Sequence, residues 1–127
     1  MKWFIEEDYS DKARAMRDSF ATGMLIISVP SLLLCEALNA LRHSGFYDEE
    51  ELILAARSLS KYGFDVWEPR GNVYELGAKL SSEHDISIYD ASYVALAKLL
   101  DATLYTADSE LIQKFPENAR HIRFYEP

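Results

Sequence analysis

The chain alternates short, continuous apolar runs with longer stretches of helical period, and that alternation restricts its fold more than any other feature. MLIIS, residues 24–28, is apolar without interruption up to Ser28 and is followed by Val29 and Pro30. It reads as a strand buried on both faces rather than one with a wet side. TLYT (103–106) reads as a second strand, FDVWEP (64–69) as a short one, and HIRFY (121–125) as a last edge strand.

Helical segments separate these runs. Residues 9–22 carry Ala13, Met16 and Phe20 at helical spacing, with Ser10 as a cap and Gly23 as a stop. PSLLLCEALNALRHSG (30–45) restarts a helix, with Pro30 and Ser31 in its first turn and Gly45 at its end. DEEELILAARSLSKYG (48–63) gathers acids where the helix dipole favours them. Residues 71–84 place Val73, Leu76 and Leu80 on one face, residues 88–100 form a fifth helix, and DSELIQKF is a short sixth. The expected class is α/β, one domain over residues 1–127, with a mainly parallel sheet and helices on both faces.

In such a sheet each crossover helix begins at the edge where the strands end, and that edge is where ligands bind. Asp90 opens the helix at 88–100, Asp108 follows TLYT, and Glu36 lies early in the helix after MLIIS. Topology therefore brings three carboxylates to one rim. The helix around Glu36 is apolar nearly all round, and its polar exceptions, Glu36 and Asn39, are three apart and share a narrow face. That pattern suits a helix buried except where it lines a cleft.

Carboxylates crowded in a cleft repel one another unless a cation intervenes. Hard oxygen donors select Mg²⁺ or Mn²⁺, and no Cys/His set has zinc spacing. Such an ion can activate water and stabilise charge on a phosphodiester, so phosphodiester hydrolysis is the chemistry expected. Taken singly, each acid has a plainer role: Asp90 as a first-turn dipole partner, Asp108 as an N-cap, Glu36 as an ion-pair partner of Arg42.

Composition narrows the classes. With 13 Lys and Arg against 21 Asp and Glu, the net charge is −8. That argues against broad, non-specific nucleic-acid binding but not against a nuclease whose acidic pocket meets phosphate through metal ions, and it makes a basic protein partner plausible. Apolar runs are broken by charge well short of a membrane span, and Glu6, Glu7 and Asp8 stand where a signal peptide would be apolar. A lone Cys35, set among leucines and expected in the core, suits a reducing cytoplasm. His43, His84 and His121 are scattered; Trp3 and Trp67 read as core-packing or dimer-contact residues before base-stacking ones, and Lys12, Arg14 and Arg17 as a solvated face before a guide for RNA phosphates.

The segments VPSLLLCEALNALR, SIYDASYVALA and LYTADSEL resemble, in order and spacing, the PIN-domain ribonucleases, and most closely the VapC-type toxins of prokaryotic toxin–antitoxin pairs. The resemblance spans nearly the whole chain. It implies a three-layer PIN-like fold, a Mg²⁺- or Mn²⁺-dependent endoribonuclease acting on RNA, a homodimer and a cognate antitoxin. By motif, Glu36, Asp90 and Asp108 take the places of metal-binding catalytic acids. Thr106 matches the threonine of the T-x-D segment and Asn39 the supporting asparagine of the E-x-x-N pattern. The family also begins with a central strand ending in an aspartate, followed shortly by something like KWFIEE. Here KWFIEE starts at Lys2, so that strand and that acid are absent from the sequence. Two expectations follow: a natural protein with a further segment upstream, and, as the alternative function, a catalytically impaired PIN-fold module that binds an antitoxin or dimer partner. A receiver domain fits less well, because it needs an acid pair after its first strand and a late lysine.

Overall fold

A computed structural model describes residues 10–68 and 70–126. The readings of Trp3, Glu6, Glu7, Asp8 and the KWFIEE segment lie outside them. In chain order the elements are α1 (Ser10–Ala21), β1 (Ser28–Pro30), α2 (Leu32–His43), α3 (Glu49–Lys61), β2 (Asp65–Trp67), α4 (Asn72–His84), α5 (Ile88–Leu100), β3 (Leu104–Thr106), α6 (Ser109–Lys114) and β4 (Ala119–His121). A 3₁₀ turn over Ile122–Phe124 closes the described chain. The expected α/β layout is present, with short parallel strands between helices.

The strands form two parallel pairs rather than one continuous sheet. β1 pairs with β2 in the register Val29 to Val66, and β3 pairs with β4 in the register Tyr105 to Arg120. α5 packs against both β1 and β3 and so joins the pairs. Its burial explains why it can: Ala91, Ser92, Val94, Ala95, Leu96 and Ala97 are all buried. Small residues let neighbours approach closely. α4 is the helix packed most extensively on α5, with Gly77 set against the Ala91–Ser92 backbone. Val73, Leu80, Val94, Leu96, Leu111 and Phe115 belong to the core that results.

Helix ends follow their sequence signals. Asp48 and Glu51 form a reciprocal capping box at α3, the Asp48 carboxylate accepting from Glu51 N at 2.8 Å. Ser87 caps α5 by accepting from Asp90 N at 3.0 Å.

Two strand readings require correction. The run 24–28 is not the strand; β1 begins at its last residue, and Met24 and Ile26 are 74% and 80% exposed. Only Ser28–Pro30 finds a paired neighbour, namely β2, and an apolar run without partners on both sides is not held as a central strand. Pro30 therefore ends β1 instead of entering the first turn of α2. At the C-terminal end, HIRFY is not a strand: β4 stops at His121. Ile122 and Tyr125 are buried while Arg123 and Phe124 are exposed, a three-residue spacing that fits a 3₁₀ turn and not the two-residue alternation of a strand.

The girdle of α2 is also less buried than its composition implied. Ala37 and Leu41 are buried, Leu32, Leu33, Leu34 and Leu38 are half-buried, and Cys35 is exposed rather than core. Between the β1–β2 and β3–β4 pairs lies a cleft of about 580 Å³, lined by Leu25, Ile27 and Leu33 on one side and Leu104 and Thr106 on the other.

Candidate active site

α5 supplies the centre of the rim. Asp90 is half-buried at the third position of this helix, and its side chain lines the cleft together with Tyr93 and Asp108. Partial burial, and then the negative charge of Asp108, push the Asp90 carboxyl above its ordinary value; the hydrogen bond with Ser87 opposes them. The two acids are thus close enough to repel. Among the described residues neither has a Lys or Arg partner within ion-pair distance.

Asp108 is anchored by the loop after β3. Its Oδ1 accepts from Glu110 N at 2.9 Å and Leu111 N at 3.3 Å, so the plain N-cap role is real. Thr106 Oγ1 accepts from Asp108 N at 3.0 Å, which fixes the turn from strand to helix. Both cap bonds use the same carboxylate oxygen, which leaves Oδ2 for another ligand.

Glu36 is exposed on α2, and it reaches the site through a residue that the sequence reading passed over. Tyr93 Oη donates to Glu36 Oε1 at 2.8 Å. No Glu36–Arg42 ion pair is found among the described residues. Tyr93 lies three residues beyond Asp90, on the same face of α5. Burial first, then the hydrogen bond and charge of Glu36 and the charge of Asp90, hold the phenol well above its usual range. Tyr93 therefore remains a neutral donor. The signal that could have located it is the spacing from Asp90, but YVALA reads equally well as core. Asn39 is exposed on α2 and does not line the cleft.

The four residues Glu36, Asp90, Tyr93 and Asp108 are linked by contact or charge. Their donor chemistry fits a hard divalent cation, with Asp90 and Asp108 as a repelling pair that lacks a counter-charge among the described residues. Their convergence is incomplete: no group of three or more His, Cys, Asp or Glu is gathered closely enough to hold a metal among the described residues.

These features fit one class of protein. The family model described as PIN domain matches residues 1–117, and the chain belongs to that family. Ribonuclease VapC1 of Mycobacterium tuberculosis, in strains CDC 1551 / Oshkosh and ATCC 25618 / H37Rv, is 39% identical over 89 residues, or 68% of this chain. The aligned region spans 65% of the length of that relative. Ribonuclease VapC3 of Pyrobaculum aerophilum is 46% identical over 37 residues, covering 29% of this chain and 28% of the relative. Among the described residues no helix is long and apolar enough to cross a membrane.

Proposed function

We propose that this chain is a divalent-metal-dependent endoribonuclease and the toxin of a toxin–antitoxin pair, acting in the cytoplasm as a homodimer. The observation that carries the reading is the mutually repelling pair Asp90 and Asp108 lining the cleft, neither of which has a Lys or Arg ion-pair partner among the described residues. The names of the VapC1 and VapC3 ribonucleases support RNA as substrate, and the net charge of −8 supports a basic antitoxin.

Asp90 and Asp108 would hold Mg²⁺ or Mn²⁺, with Glu36 as the third acid. A bound ion of this kind supplies charge neutralisation for a phosphodiester and a more acidic water. The protein does the positioning. Thr106 fixes the backbone that carries Asp108, Ser87 fixes the first turn that carries Asp90, and Tyr93 holds Glu36 against α5. Asn39 is assigned a supporting polar role on the Glu36 face of α2. Water, not a side chain, would attack the phosphorus.

Single-stranded RNA incubated with the chain and Mn²⁺ tests this reading. Water attack leaves no 2′,3′-cyclic phosphate, because the ribose hydroxyl takes no part. Cyclic-phosphate ends, or cutting that persists in EDTA, would exclude it.

Tyr93→Phe removes one donor and little else. The expected outcome is metal affinity lowered about tenfold, the scale for losing a group that orients a ligand, with a melting temperature close to that of the parent. Calorimetric titration with Mn²⁺ checks it.

The incomplete convergence of the acids and the divided sheet favour one second reading: a catalytically impaired PIN-fold module that binds an antitoxin or dimer partner. Metal-dependent RNA cleavage by this chain rules that out.

A further inference from the structure

Between α6 and the β4 strand with the turn after it lies a second depression, of about 540 Å³. Its lining holds cations and no carboxylate. Its wall includes Arg120, His121, Arg123 and Phe124 from β4 and the turn after it, and Ser109 and Gln113 from α6. The neighbouring acids in the sequence, Glu117 and Glu126, do not line it. Arg120, Arg123 and Phe124 are exposed, Phe124 to 56%. Neither arginine has a carboxylate within ion-pair distance among the described residues. The Arg123 guanidinium lies 4.8 Å from the centre of the Phe124 ring.

The groove is also joined to the acidic rim. Ser109 directly follows Asp108, and His121 is the register partner of Thr106 across β3 and β4. Neighbouring strands lie about 4.8 Å apart. The groove therefore begins one residue from Asp108 and one strand spacing from Thr106.

We infer that this groove is the RNA-binding track of the protein, gripping single-stranded RNA through Arg120 and Arg123 on phosphates and Phe124 under a base. The inference rests on the ribonuclease reading above and deepens it. An exposed aromatic ring in a groove lined by cations is the arrangement by which proteins hold single strands without reading sequence, since every base offers a π face. It also answers the difficulty that the net charge raises. The carboxylate rim repels phosphate, so the strand needs a local cationic foothold, and the groove provides one next to the rim. An acidic protein segment would meet the same cations but would gain less from an exposed aromatic platform.

The test is fluorescence anisotropy with a labelled single-stranded oligoribonucleotide, on the intact chain in EDTA so that nothing is cut. Arg120→Ala/Arg123→Ala should weaken binding and lower the slope of log affinity against log salt by about 1.4, the value for two phosphate contacts on a single strand. Phe124→Ala should weaken binding about tenfold, within the range for one stacked base. Melting temperatures should not move, because all three side chains are exposed. A parent that binds RNA while the variants bind equally well overturns the inference. So does a parent that binds no RNA, or a polyglutamate peptide of equal charge that displaces RNA and binds more tightly. Cleavage with Mn²⁺, measured in parallel, separates the failures. Cleavage by the parent with unchanged binding in the variants removes the groove alone, whereas no cleavage removes the ribonuclease reading as well.

Discussion

Asp90→Asn is expected to lower metal-dependent RNA cleavage by about 10²- to 10³-fold, the scale for removing one preorganised charge-stabilising group, and to melt no lower than the parent. The two halves of this prediction have one cause. Asp90 is held half-buried beside Asp108, and its folded-state pKa is raised. A carboxyl raised on folding gives its full stability below the unfolded pKa, and that stability is lost as pH rises through the folded value. At neutral pH the ionised parent therefore carries a penalty that Asn does not. The gain is small, because the side chain remains partly solvated. It should vanish in acid, where the parent carboxyl is protonated. A structural cap would behave in the opposite way. Ser87 already caps α5, so removing the Asp90 charge leaves the helix start intact. Initial rates on labelled RNA, with melts at neutral and acid pH, check both halves. A variant that is less stable at neutral pH would show that Asp90 serves the fold.

The largest loss of stability is expected from Leu41→Ala. Leu41 is fully buried on α2, Ala37 one turn before it is buried too, and α2 packs on α3, which buries Ala55 and Leu59. Truncation removes the apolar transfer term and leaves a cavity, together about 2–5 kcal/mol. In a domain of this size each kcal/mol lowers the melting temperature by about 3 °C or more. Cys35→Ala on the same helix should change it little, because Cys35 is exposed. Thermal melts of the two variants side by side check this; a mild effect at Leu41 would mean that the fold does not depend on the buried face of α2.

Most helices were legible because their periodicity and end signals agree. Residues 88–100 coincide with α5, since Ser87 caps one end and Asp101 turns left-handed at the other. Strands were legible in number but not in place. An apolar run such as MLIIS states that burial is wanted, whereas strand formation depends on which neighbour supplies hydrogen bonds, and here β2 reaches only Ser28–Pro30. HIRFY failed for a related reason, as its buried positions follow a spacing of three.

The rim was partly legible. Chain order placed Asp90 and Asp108 together through the parallel topology. Glu36 was assigned to the same edge, and its contact with α5 depends on Tyr93, a side chain whose sequence context is indistinguishable from core. The groove at Arg120 and Phe124 was hidden by the strand reading, which would have put alternate side chains on opposite faces. A 3₁₀ turn instead places Arg123 and Phe124 in one wall.

Whether Asp90 and Asp108 form a cation site is decided most directly by thermal unfolding of the parent and of Asp108→Asn, with and without millimolar Mn²⁺. A ion that binds only the folded state raises stability by linkage, by about 2.7 kcal/mol at a hundredfold excess over its dissociation constant. The parent should therefore melt several degrees higher with Mn²⁺, and Asp108→Asn should lose that response. Equal melting with and without Mn²⁺ in the parent would contradict the metal site and leave the rim as two ordinary helix-terminal acids.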